Sequence, residues 1–185
     1  AEGFKALADS LELSLSSAHV PLQMLEEAPD KVFAVARIFE MELIVVPWLP
    51  EEERPKTRAA ANALANRLSA LQTRAKQAGF TLAYHNHDFE FIRLDDGSLL
   101  LDVLLASVPE LAWEADIGWL IRAGEDPVAW LDRYADRIVA VHLKDYIGGD
   151  SEGGLVYTSD AGTISRETMG RGGGTHSHEQ RSEVT

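Results

Sequence analysis

The chain has 185 residues, 45% hydrophobic and 25% charged, a size and balance that support one or at most two domains with a real core. Seventeen basic residues against thirty acidic ones leave a net charge of −13, which disfavours a polyphosphate partner, and no local basic stripe offsets it. Cysteine is absent, excluding disulfides, thiolate metal sites and cysteine nucleophiles, and no apolar run reaches the ~18 residues of a membrane span.

With no charged-then-apolar leader, a cytoplasmic protein without membrane or nucleic-acid partners is expected. Along residues 1–145, short apolar or β-branched runs at Leu11–His19, Leu43–Pro47, Thr81–His87, Leu111–Asp116 and Ile138–His142 read as strands. Helical patterns lie between them. Asp30–Phe39 sets Val32, Val35, Ala36 and Phe39 on one stripe, and Lys56–Ala78 repeats Ala60, Leu64, Leu68, Leu71 and Ala75 at spacings of three and four. Gly79 is suited to the left-handed backbone that ends the second helix. Phe89–Leu101, with Asp95-Asp96-Gly97, reads as a hairpin excursion on a strand-to-helix loop. Asp126 and Pro127 make a cap and a first-turn proline for a helix that runs through Ala129, Trp130, Arg133 and Tyr134. Nearly uninterrupted apolar strands alternating with helices indicate a parallel sheet covered by helices, so the expected class is α/β with about five parallel strands.

Beyond Asp145 the character changes. Nine of the fourteen glycines fall in the last forty residues, and residues 148–185 are expected to form an irregular or disordered tail, with Leu155–Tyr157 as a candidate short strand.

Polar side chains gather at the strand ends. On the third strand His85 and His87 share a face by alternation, while Asn86 points the other way. Two imidazoles followed by Asp88 and Glu90 suit a divalent metal or a hydroxyl-rich ligand. Glu114 and Asp116 share a face of the fourth strand and suit metal ligation or proton transfer; Asp116 also precedes the helical pattern Ile117–Ala123 and suits a helix cap. His142 and Lys144 share a face at the end of the fifth strand, with a salt bridge as the alternative role for Lys144. His19 and Trp48 end the first two strands and suit the wall of a sugar cleft. Gly170–Gly174 follows no strand and begins no helix, so it is no nucleotide loop, and a Gly-x-Ser-x-Gly elbow is absent.

Three motifs taken in order, Tyr84-His-Asn-His-Asp-Phe-Glu-Phe91, Glu114-Ala-Asp-Ile-Gly-Trp119 with Ala123-Gly-Glu-Asp-Pro127, and Val141-His-Leu-Lys-Asp145, resemble the sugar phosphate isomerase/epimerase family. The resemblance runs from about residue 1 to residue 147 and implies a xylose isomerase-like TIM barrel. It also implies a divalent-metal enzyme, with Mn²⁺, Zn²⁺, Co²⁺ or Fe²⁺ as the candidates, that moves protons beside a sugar carbonyl. Asp116 and His142 match the family's aspartate and histidine ligands, and His85 stands where a glutamate is usual, giving His85, Asp116 and His142 as the implied metal set. His87, Glu90 and Lys144 are then the candidates for proton transfer or for binding a carbonyl or phosphate oxygen. His19, Trp48, Glu114 and Trp119 would contact substrate, and Trp119 replaces a histidine usual at that position.

The five strands would correspond to the third through seventh of a barrel that takes roughly 250 residues, so a barrel fragment over residues 1–147 is expected. Unpaired sheet edges would favour pairing between chains, as in a homo-oligomer. The leading expectation is a metal-dependent isomerase or epimerase acting on a small sugar or sugar phosphate. A non-catalytic sugar- or metal-binding fragment is the alternative, and an abasic-site endonuclease relative is disfavoured by the charge.

Overall fold

The computed structural model describes residues 1–144 and the strand Gly162–Ser165. Its helices are α1 (Glu2–Ser10), α2 (Leu22–Glu27), α3 (Pro29–Ile38), α4 (Arg58–Gln77), α5 (Leu100–Ser107), α6 (Ile117–Arg122) and α7 (Pro127–Arg133). Its strands are β1 (Ser17–His19), β2 (Leu43–Val46), β3 (Thr81–His85), β4 (Ala112–Asp116), β5 (Ile138–Leu143) and β6 (Gly162–Ser165). They form one sheet in the order β1-β2-β3-β4-β5-β6. The first five strands are mutually parallel, as expected, and β6 lies antiparallel to β5. This added strand falls inside the stretch expected to be irregular. The candidate strand Leu155–Tyr157 lies outside the described residues.

The central strands β2, β3 and β4 bury both faces. Toward the helices, Ile44, Val46, Leu82, Tyr84, Trp113 and Val141 join Leu64, Leu68 and Leu71 of α4 in the main core. On the inner face Val45, Ala83 and Ala112 form a second, smaller cluster flanked by Leu43 and Val139. Small residues there leave room at the strand ends.

Local chemistry sets the boundaries. Thr57 caps α4 by accepting a hydrogen bond from the Ala60 N–H at 3.2 Å, and Gly79 takes φ +87 just beyond the helix. The buried stripe of α4 uses Ala61 rather than Ala60. Asp126 caps α7 through the Val128 N–H. The hairpin excursion is present as an antiparallel bridge between Arg93 and Leu99, with Gly97 at φ +83.

The first strand is shorter than the sequence pattern suggests. The Leu-Glu-Leu-Ser-Leu stretch alternates properly, yet β2 offers partners only from Ser17 onward, and Leu11 and Leu13 stay exposed. β2 stops before Pro47, which has no N–H to continue the ladder. No described helix is long and apolar enough to cross a membrane.

Candidate active site

The carboxyl ends of β1, β3, β4 and β5 bring His19, His85, Glu114 and His142 together, each offering a ligand atom within 4.8 Å of the others. Register explains this. His85 lies opposite Glu114, and Asp116 lies opposite His142. A bulge puts His142 on the correct face: Trp113 faces Ile138 but Glu114 faces Ala140, leaving Val139 as the extra residue. Ile138 and Val141 therefore both pack against the helices, and Ala140 and His142 turn inward.

Glu114 is the hub. Its Oε2 lies 2.5 Å from His19 Nε2 and 3.1 Å from His85 Nδ1, and its Oε1 lies 3.4 Å from His142 Nε2. Burial raises the Glu114 pKa, but hydrogen bonds from His19 and His85 and the nearby His142 outweigh that and bring it down to about 2. Burial also lowers the His85 pKa, against the opposing pull of Glu114 and Asp116. Glu114 Oε1 is buried without a hydrogen bond.

Asp116 sits behind this group with no exposed surface. Its Oδ1 accepts from the Trp119 N–H at 3.1 Å and so caps α6, while its Oδ2 lies 2.5 Å from Lys144 Nζ. The cap and the ion pair weighed as alternatives to catalysis are thus both present, one on each oxygen. Burial raises the Asp116 pKa, and His142 and Lys144 together bring it below the ordinary value.

His87 stands at the rim, its ring 4.9 Å from Trp119 and 5.1 Å from His85. Its Nδ1 is buried without a hydrogen bond, and burial followed by His85 lowers its pKa to about 4. Lys144 Nζ lies 5.5 Å from the Trp119 ring centre. Trp48, just past β2, is half exposed with the Arg54 guanidinium 5.6 Å from its ring.

Glu90 is turned away from the imidazole group. It is fully buried, accepting from Tyr84 Oη at 2.7 Å and from the His87 N–H at 2.8 Å, and burial raises its pKa to about 7. Its place in the structure is that of a support for the His87 loop.

Asn86 went unassigned in the sequence and is central here. Its Oδ1 accepts from Trp113 Nε1 and the Asp116 N–H, both at 2.9 Å, and its Nδ2 donates to the Asp116 carbonyl at 3.2 Å. The available signal was its opposite parity to His85 and His87, which aims it at the neighbouring strand.

The group fits a metal ion. Three imidazoles on one tetrahedral ion with bonds near 2.05 Å have ring centres about 5.2 Å apart. His85–His142, His19–His85 and His19–His142 stand at 4.7, 5.2 and 5.5 Å. A hollow of about 630 Å³ opens at the other end of the sheet, beside Lys5, Asp9, Ser17 and Thr81, and no histidine lines it. The imidazole and carboxylate group lies at the opposite, carboxyl ends of the strands.

No family model matches the chain. An 84-residue stretch is 36% identical to the inosose dehydratase of Clostridium beijerinckii, covering 44% of this chain and 27% of that protein. A sugar phosphate isomerase/epimerase from Parabacteroides distasonis superimposes with a TM-score of 0.70 at 23% identity, over 82% of this chain and 61% of that one. A xylose isomerase domain protein from Planctomyces limnophilus gives 0.59 at 17% identity, over 88% and 63%. The matched chain spans less than two thirds of each of these proteins. Its fold is that of a partial xylose isomerase-like TIM barrel.

Proposed function

We propose that this chain carries the site of a metal-dependent enzyme that removes or returns a proton at a carbon beside the carbonyl of a small polyhydroxylated substrate, an inosose or a sugar. Isomerisation, epimerisation and dehydration all share that step. The observation carrying the reading is the convergence of His19, His85, Glu114 and His142 at the carboxyl ends of parallel strands, where barrels of this fold house their chemistry. The similarity to an inosose dehydratase supports a cyclic polyol ketone as the first substrate to test.

His19, His85, Glu114 and His142 would hold the ion, which when bound supplies Lewis-acid polarisation of the substrate oxygens. Lys144, oriented by Asp116 at 2.5 Å, donates to the oxygen that gains charge as the proton leaves. His87, neutral above about pH 4 and placed at the rim beside Trp119, takes the proton. Trp119 and Trp48 present apolar faces to the ring carbons. Glu90 holds the His87 backbone in place.

The test is isotope exchange. The metal-loaded chain is incubated with an inosose in heavy water and followed by proton NMR. Deuterium is expected at the carbon next to the carbonyl, and His87→Gln is expected to slow its appearance about 10²–10⁴-fold. Exchange no faster than in protein-free buffer, in a sample shown to contain bound metal, would leave a binding fragment as the correct reading.

A further inference from the structure

We infer that Arg54 is a specificity-determining residue that binds a carboxylate on the substrate, at the end remote from the carbon that loses its proton. The substrate class is then a polyhydroxylated carbonyl compound that is also an acid, such as a uronate. The inference rests on the proton-transfer reading above and deepens it.

Placement is the first argument. Arg54 lies between β2 and α4, on the carboxyl-end side of the strands. Its guanidinium stands 4.2 Å from the centre of the Phe89 ring and 5.6 Å from that of Trp48. Phe89 in turn stacks on His87, with ring centres 6.1 Å apart. Beyond His87 the row continues through Trp119 at 4.9 Å to Lys144, whose Nζ is 5.5 Å from the Trp119 ring centre. A row of neighbouring side chains therefore runs along the rim with a cation toward each end and the proton-accepting imidazole between them. Lys144 serves the carbonyl oxygen, and Arg54 marks the opposite end of the bound molecule.

Availability is the second argument. Among the described residues the one hydrogen bond of Arg54 runs from Nε to the Leu49 carbonyl at 3.1 Å, and no carboxylate pairs with it. This holds in a chain with thirty acidic residues against seventeen basic ones, directly after Glu51, Glu52 and Glu53. Glu53 is drawn off to Arg67 at 3.3 Å, and Arg122, which stands over Trp119, is paired with Asp88 at 2.9 Å. The Leu49 bond fixes the Nε side of the Arg54 group and leaves the Nη1–Nη2 fork as its donor pair.

Chemistry is the third argument. Aromatic rings against a guanidinium displace part of its water and strengthen its pull on an anion. The fork presents two parallel N–H groups at the spacing of the two oxygens of a carboxylate. A phosphate dianion is the poorer match, because a single cation serves this end and the run of glutamates before it opposes a second negative charge.

The test measures binding of D-glucuronate, D-glucose and D-glucose 6-phosphate to the metal-loaded chain by titration calorimetry. Glucuronate is expected to bind roughly 10–100-fold more tightly than glucose, the gain from one charge-assisted two-point contact. In Arg54→Gln, checked for folding by circular dichroism, the ratio of those two affinities is expected to fall to about one, and Arg54→Lys, which keeps the charge without the fork, to hold an intermediate ratio. A purely structural role for Arg54 would weaken both sugars alike and keep the ratio, which would overturn the inference. So would a preference that survives Arg54→Gln because the metal group or Lys144 takes the carboxylate. Equal affinities in the unaltered chain, or binding of none of the three, would also overturn it, and tighter binding of glucose 6-phosphate than of glucuronate would overturn the choice of carboxylate. Deuterium exchange reports separately: exchange into an inosose without a glucuronate preference sinks this inference alone, and an Arg54-dependent preference without any exchange sinks the proton-transfer reading alone.

Discussion

Asn86 shows how much one buried amide does at this site. It joins β3 to β4 through three hydrogen bonds and fixes the segment that carries Asp116. Asn86→Ala strands the Trp113 indole N–H and the Asp116 backbone N–H in a water-free place, at about 1–3 kcal/mol for each group. Urea denaturation should therefore show a loss of about 2–6 kcal/mol. Glu90 calls for a different measurement. Its pKa rises from 4.5 to about 7 in the folded chain, so between those values the folded protein keeps a proton that the unfolded chain has released. Its stabilising contribution is whole below pH 4.5 and disappears as pH climbs through about 7. The span corresponds to about 3 kcal/mol. Denaturation curves at pH 4.5 and 7.5 should differ less for Glu90→Gln than for the unaltered chain by about that amount, since glutamine has no proton to lose.

At the scale of elements, the helix and strand pattern was legible because a sheet buried on both faces writes its strands as apolar runs, and an amphipathic helix writes its buried stripe at spacings of three and four. The α4 cap was not legible in the sequence, where the helical pattern begins at Lys56; Thr57→Ala should cost about 1 kcal/mol in a thermal or urea melt. The convergence of His85 and His142 was legible in outline from their places at strand ends. What the sequence left open was set by contacts between strands. Nothing in Ile138–Leu143 announces that Val139 is an extra residue opposite β4, yet without it His142 would face the helices. Glu114 as hub, rather than as a contact for substrate, depends on β3 lying beside it in a particular register. His19 joined the ligand group because β1, cut back to three residues, ends level with Val45. Glu90 looked available in the sequence because its partners, Tyr84 and the His87 backbone, are brought to it only by the short turn Phe89–Phe91.

For the molecule as a whole, the sheet runs from β1, which has one neighbour among the described residues, across to β5, which is covered by the antiparallel β6. Glu114 of β4 and the three imidazoles around it, from β1, β3 and β5, tie together four strands. An outermost strand with a single ladder is the first of the five to open, so amide exchange in the metal-free chain should be fastest at Ser17–Val20. A divalent ion that the group binds should slow it there more than in β2, which contributes no residue to the group. Because His19 belongs to that outermost strand, an ion held by the proposed group would act as a rivet through four strands, and its grip would become part of the energy of folding. At a free ion concentration one hundred times the dissociation constant the rivet would add about 2.7 kcal/mol, so the melting temperature of this protein would serve as a gauge of the metal dissolved around it.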